Sequence, residues 1–119
     1  MIVDKERYKR HLLLKEIGES GQRKLREAKV LVVGAGGLGS PVCLYLATAG
    51  VGEICIVDSD VVDISNLQRQ ILYSTEDLGM AKVEIAKKKL EKMNPDIRVS
   101  AVRDRFGKDN AEGISRSYD

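Results

Sequence analysis

An α/β fold of three parallel strands, in the order 3-2-1 with helices on both faces, is the architecture the sequence predicts. Three observations carry it. Val30-Leu31-Val32-Val33 is a short, mostly β-branched apolar run, the pattern of a buried parallel strand. Gly34, Gly36, Gly37 and Gly39 then permit a tight turn, and residues 38–49 read as a helix that is apolar on several sides. A second apolar strand, Glu53–Val57, ends in Asp58.

The elements follow in chain order. Residues 5–15 read as a helix that turns Tyr8, Leu12 and Leu13 toward the protein. After the break at Glu19-Ser20-Gly21, residues 22–27 read as a second short helix. Strand one (Lys29–Val33), the helix at 38–49 and strand two (Glu53–Val57) come next. A loop over 58–65 leads into a helical turn around 66–71. A long helix over 81–92 carries Val83, Ala86, Leu90 and Met93 at helical spacing and is stopped by Asn94-Pro95. That spacing leaves Lys87, Lys88, Lys89 and Lys92 mostly toward water. Strand three spans 97–102, and residues 109–115 can form a last short helix.

The organisation is therefore an N-terminal helical segment (1–28), a nucleotide-binding β-α-β-α-β unit (29–102) and a polar tail (103–119). This is one mononucleotide-binding half of a doubly wound fold, a Rossmann-like half-domain that stops before the next strand. In the order 3-2-1, strand one lies at an edge, and its free N–H and C=O groups lead us to expect association into a dimer.

Composition narrows the function classes. Apolar residues at 43% and charged residues at 32% describe an ordinary globular chain, and a net charge of +2 argues for neither nucleic acid nor a membrane surface as partner. No apolar stretch approaches the ~20 residues of a membrane span and no signal-peptide pattern opens the chain, so the cytoplasm is the expected location. Cys43 and Cys55 sit among apolar neighbours and read as buried small hydrophobes. Without a C-x-x-C pair they encode neither zinc site nor redox dithiol, and no metal ligand is assigned.

A helix N-terminus reached through a glycine loop presents backbone N–H groups and about half a positive charge, which is a seat for phosphate. Asp58, about 20 residues past the loop, stands where an acid accepts a ribose hydroxyl. The stretch Asp58-Ser-Asp60-Val-Val-Asp63-Ile-Ser65-Asn66-Leu67-Gln68-Arg69-Gln70 is dense in polar groups just past the strand end, where ligands sit in open α/β sheets. A diphosphate is served by amides alone, whereas a triphosphate attacked at its α-phosphate needs spread positive charge. Arg69 and Lys82 can supply that charge, and Asn66 can bond a phosphate or ribose oxygen. Read alone, Arg69 also fits a surface pair with Asp63 or Asp60, Lys82 a solvated helix lysine, and Asp60 a turn residue.

Arg7-Tyr8-Lys9-Arg10, Gly34-Ala-Gly-Gly-Leu-Gly39, Ala49-Gly50-Val51-Gly52, Asp58-Ser-Asp60, Ser65-Asn-Leu-Gln-Arg-Gln70, Asp77-Leu-Gly79-Met-Ala-Lys82 and Asn94-Pro95 fall in one register. Together they resemble the N-terminal half of the ubiquitin-activating superfamily, in its MoeB/ThiF/HesA branch, over about residues 6–102. The string Ser65–Gln70 is far more specific than the glycine loop.

The resemblance implies an adenylyltransferase. ATP and the C-terminal carboxylate of a ubiquitin-like sulfur carrier would give an acyl adenylate and pyrophosphate, with magnesium. It implies that Gly34, Gly36, Gly37 and Gly39 lie against the nucleotide and Asp58 holds the ribose. Asp60, Ser65, Asn66, Leu67, Gln68, Arg69 and Lys82 would complete the nucleotide site, with Asn66, Arg69 and Lys82 on the phosphates. Arg10 would reach ATP across a homodimer interface, so that Arg10, Arg69 and Lys82 form the catalytic set. His11 stands where the family usually has Gln and is given no role. The magnesium-binding aspartate and most of the carrier-docking surface are expected beyond Asp119, and the 119-residue chain alone is expected to lack turnover. Two other readings remain: the nucleotide domain of an NAD(P)-dependent oxidoreductase, and a non-catalytic nucleotide-binding or dimerisation module.

Overall fold

In the computed structural model, which describes residues 4–119, the expected strands form one parallel sheet. Strands β1 (Lys29–Val33), β2 (Glu53–Val57) and β3 (Arg98–Val102) lie in the order β1-β2-β3, the 3-2-1 arrangement seen from the other edge. Their register aligns Val30 with Ile54 and Ile54 with Val99. The crossovers are α3 (Gly39–Ala49) and α4 (Lys82–Met93). Strands that advance in one direction through right-handed crossovers place both helices on the same face. There Val32, Ile54, Ile56 and Val99 pack with Cys43 and Ala47 of α3 and with Val83, Ala86 and Leu90 of α4. Ile54, Ile56 and Leu90 are 0% exposed, and burying each side chain contributes about 1.5–3 kcal/mol.

The other face is covered more thinly, by the tail that carries α5 (Ala111–Ser115). Interaction with the Cys55 side chain on this face, and then burial, push the Tyr118 phenol up to about 12. The tail then reaches the edge of the sheet, where the Asp119 N–H donates to the Lys29 carbonyl (2.9 Å) and the Lys29 N–H donates to Asp119 Oδ2 (2.8 Å). The expectation of a wholly open β1 edge is corrected at Lys29. At the far end Val33 stays 53% exposed.

Other boundaries shift for tertiary reasons. The expected helix over 5–15 shortens to α1 (Lys9–Leu12). Tyr8 is buried as expected, its hydroxyl accepting from Asn94 Nδ2 at 2.8 Å, but Leu13 is exposed because the chain leaves the helix at that point. Helix α2 spans Gly18–Glu27 and runs straight through the expected Glu19-Ser20-Gly21 break. Gln22, 1% exposed, anchors it by donating to the Ala49 carbonyl (2.8 Å) and bonding His11 Nδ1 (2.9 Å). That packing outweighs the weak helix propensity of glycine and serine. Cys43 and Cys55 are buried and free, and burial pushes the Cys43 thiol up to about 11. No helix among the described residues is long and apolar enough to cross a membrane.

Candidate nucleotide site

The loop between β1 and α3 is shaped by two glycines. Gly34 adopts φ 96°, a left-handed conformation that side chains disfavour. A Cβ on Gly39 would collide with the Gly34 carbonyl, so the helix starts directly against the turn. The N–H groups of Gly36, Gly37 and Leu38 bond to nothing among the described residues. They stand free at the N-terminus of an 11-residue helix, where partial positive charge favours an anion.

Two side chains hold the loop from opposite sides through one residue. Asp58 Oδ2 accepts from the Ala35 N–H (2.7 Å), and the Tyr73 hydroxyl donates to the Ala35 carbonyl (2.6 Å). Asp58 Oδ1 accepts from the Asp60 N–H (2.7 Å), which orders the start of the next loop. A carboxylate has about four lone-pair positions, so each Asp58 oxygen keeps one for a ligand hydroxyl. Burial, and then the negative charge of Asp58, raise the Tyr73 phenol well above its ordinary range. It therefore stays a hydrogen-bond donor.

The segment from Asp60 to Lys82 closes over this end of the sheet. Val61 and Ala81 form an antiparallel bridge, and the Lys82 N–H donates to the Asp60 carbonyl at 3.1 Å. The turn expected at 66–71 begins earlier, as a 3-10 turn at Ile64–Asn66. Asp63 starts it by accepting from both the N–H and the hydroxyl of Ser65 (2.9 and 2.7 Å), which hold its carboxyl below the usual range, with Lys82 adding to the effect. A second 3-10 turn spans Thr75–Asp77. Asp77 accepts from the Ser74 N–H (2.8 Å) and from Lys89 Nζ (2.6 Å). Lys89 is thus tied to the loop rather than simply solvated.

The structure brings most of the expected residues together. Arg69 lies over Gly37, its Cδ 3.7 Å from where a Cβ would stand, and its guanidinium donates to the Ser65 carbonyl and to Gln68 Oε1. It makes no ion pair with Asp60 or Asp63 among the described residues. Lys82 is 4% exposed and faces Asp60 across 3.9 Å, so the reading of it as a solvated lysine is corrected. Its aliphatic stem is packed at the start of α4, and only the ammonium reaches the loop. Asn66 is half-buried, and Leu67 packs against the core. Ser65 and Gln68 are exposed on the turn. Arg10 is not brought to this end. It borders a small cavity with Arg7, Tyr8, His11 and Thr48, beside the C-terminal half of α3. Tyr73 joins the site with no sequence signal, and Asp63, which the sequence offers only as a surface partner of Arg69, joins it through Ser65. Tyr73 is placed by its tertiary bond to Ala35, 38 positions back, whereas Asp63 bonds Ser65 two positions on, a local turn pattern.

Among the described residues no group of three His, Cys, Asp or Glu side chains is placed to hold a metal ion. The carboxylates of Asp58 and Asp63 are already engaged by backbone and hydroxyl donors.

Comparison with known proteins fits this geometry. The chain is 51% identical over 113 residues to a probable molybdopterin-synthase adenylyltransferase of Porphyra purpurea, covering 95% of this chain and 30% of that protein. It is 49% identical over 114 residues to the sulfur carrier protein adenylyltransferase of Thermus thermophilus, covering 96% of this chain and 42% of that protein. Among solved structures, the tRNA N6-threonylcarbamoyladenosine dehydratase TcdA of E. coli in complex with AMP superposes with a TM-score of 0.92 at 31% identity, covering 99% of this chain and 48% of that one. The same enzyme in complex with ATP gives 0.91, covering 98% and 48%. The chain therefore spans less than half the length of these relatives. The ThiF family model matches residues 8–119. The chain belongs to the ThiF family.

Proposed function

We propose that this chain is the ATP-binding part of an enzyme that adenylates the C-terminal carboxylate of a ubiquitin-like sulfur-carrier protein. A carboxylate oxygen attacks the α-phosphorus of ATP, the bond to the β-phosphate breaks, and pyrophosphate leaves with the electron pair. The observation that carries the reading is a pair of cations at the strand-end loops: Arg69 over Gly37 of the glycine loop, and Lys82, buried, beside Asp60, whose N–H is held by Asp58. That much charge suits a triphosphate and its departing pyrophosphate better than a dinucleotide.

In this reading Asp58 accepts the ribose hydroxyls, and the N–H groups from Gly36 to Gly39 seat a phosphate, with Gly34 shaping the turn. Asn66, Arg69 and Lys82 bind the remaining phosphate oxygens, while Asp60, Ser65, Leu67 and Gln68 shape the wall that presents them. Arg10 reaches the nucleotide of a second copy in a homodimer, which accounts for its place away from its own loop. Magnesium belongs to the same reading and draws its main ligand from outside these residues. The names of the Porphyra and Thermus relatives, and the AMP and ATP bound to TcdA, support the assignment.

Calorimetry tests it. ATP is expected to bind this chain more tightly than NAD, and the reverse order overturns the reading. Carrier-dependent ATP–pyrophosphate exchange, measured in a protein spanning the relatives' full length, is expected to require the carrier's free C-terminal carboxylate. Exchange that persists with an amidated carrier also overturns it.

A further inference from the structure

Gln70 is a long polar residue in a place suited to an apolar one. It is 4% exposed, directly under the glycine loop, with Nε2 3.3 Å and Cδ 3.8 Å from the position a Cβ on Gly36 would take. Its Oε1 is the one fully buried side-chain polar atom among the described residues that has no hydrogen-bond partner. Its Nε2 donates no hydrogen bond to the described residues either. The neighbouring buried polar groups behave differently. Ser40 accepts from the Leu72 N–H at 2.9 Å, Tyr73 donates to the Ala35 carbonyl, and Asn94 donates to both Tyr8 and the Ala47 carbonyl.

A buried amide that bonds nothing costs stability, and a methionine of similar length would fill the space without that cost. The fold therefore does not explain the amide. Gly36 lets it approach the loop, because any side chain there would press against its nitrogen at 3.3 Å. The N–H groups of Gly36 and Gly37 stand beside it, and Arg69 covers the next residue.

We propose that Gln70 is a phosphate-binding residue of the glycine loop, its Nε2–H donating to a nucleotide phosphate oxygen. The proposal rests on the nucleotide reading and deepens it. A neutral amide donor suits a crowded anion site, since it adds a directed bond beside Arg69 and Lys82 without another charge to desolvate. The bound phosphate gives the Nε2–H donor an acceptor; Oε1, itself an acceptor, is not satisfied by it.

Gln70→Met and Gln70→Glu test this in the 119-residue chain, with ATP and adenosine as probes in calorimetry. Gln70→Met is expected to weaken ATP about 3- to 10-fold, to leave adenosine unchanged and to unfold at the same or a higher temperature than the parent. Gln70→Glu is expected to weaken ATP more than Gln70→Met does, because it places a carboxylate against the phosphates. The side-chain amide resonances of Gln70 are expected to shift with ATP and not with adenosine. A Gln70→Met chain that binds ATP like the parent, or that loses ATP and adenosine equally, overturns the proposal while leaving the nucleotide reading in place. A parent chain that binds neither probe overturns both.

Discussion

The ammonium of Lys82 stands 3.9 Å from Oδ2 of Asp60, with the lysine side chain 5% exposed and the aspartate 71% exposed. The pair is long and open on one side. Its value to stability is therefore small, about 0–1 kcal/mol, and the ammonium is free to turn to a stronger anion. Lys82→Met, which keeps the packed stem, is expected to shift unfolding by no more than about 1 kcal/mol and to weaken ATP by at least ~10-fold. Urea unfolding and calorimetry on the same preparation check the two effects separately.

Asp58 links β2 to the glycine loop as well as facing the ligand, so its removal acts twice. Asp58→Ala leaves the N–H groups of Ala35 and Asp60 without their acceptor. A hydrogen bond to a charged group contributes about 1.5–3 kcal/mol, so stability and ATP affinity are expected to fall together. A variant that loses affinity of ~10- to 150-fold with an unchanged unfolding midpoint would show that Asp58 serves the ligand alone.

Tyr73→Phe removes the other grip on Ala35 and leaves a buried carbonyl unpaired. A loss of about 1–3 kcal/mol in unfolding free energy is expected, with faster amide exchange at Gly36 and Gly37. An unchanged exchange rate at those glycines would show that Tyr73 does not hold the loop.

Acid should loosen the loop at Asp77. Burial opposes ionisation of this carboxyl, but the bonds from Lys89 and Ser74 outweigh it and hold it below its ordinary value of 3.8. A carboxyl lowered in the folded protein contributes stability that is present above the unfolded value and is lost as pH falls through the folded one. Asp77→Asn is therefore expected to be less stable than the parent at neutral pH, with the difference shrinking below about pH 4. Urea midpoints from pH 7 down to pH 2 read this directly, and a difference that stays constant would locate the effect elsewhere.

The sequence by itself determined the strands, their order and the two long helices, because each rests on a local signal. Apolar runs at Lys29–Val33 and Glu53–Val57, with helical periodicity between and after them, leave few alternatives for a parallel sheet. The glycine loop, Asp58, Arg69 and Lys82 were legible for the same reason, as residue types at fixed offsets from those elements. What the tertiary structure alone decided depends on residues far apart in the chain. Helix α2 passes through a glycine and a serine because Gln22 reaches Ala49, 27 positions on. The Lys29 end of the β1 edge is closed by Asp119, 90 positions away. The buried position of Lys82, the grip of Tyr73 on Ala35 and the unmatched amide of Gln70 arise where the 58–81 loop folds back over the sheet. A side chain's desolvation and its partners are set by whatever the fold brings against it, and sequence spacing carries no record of that.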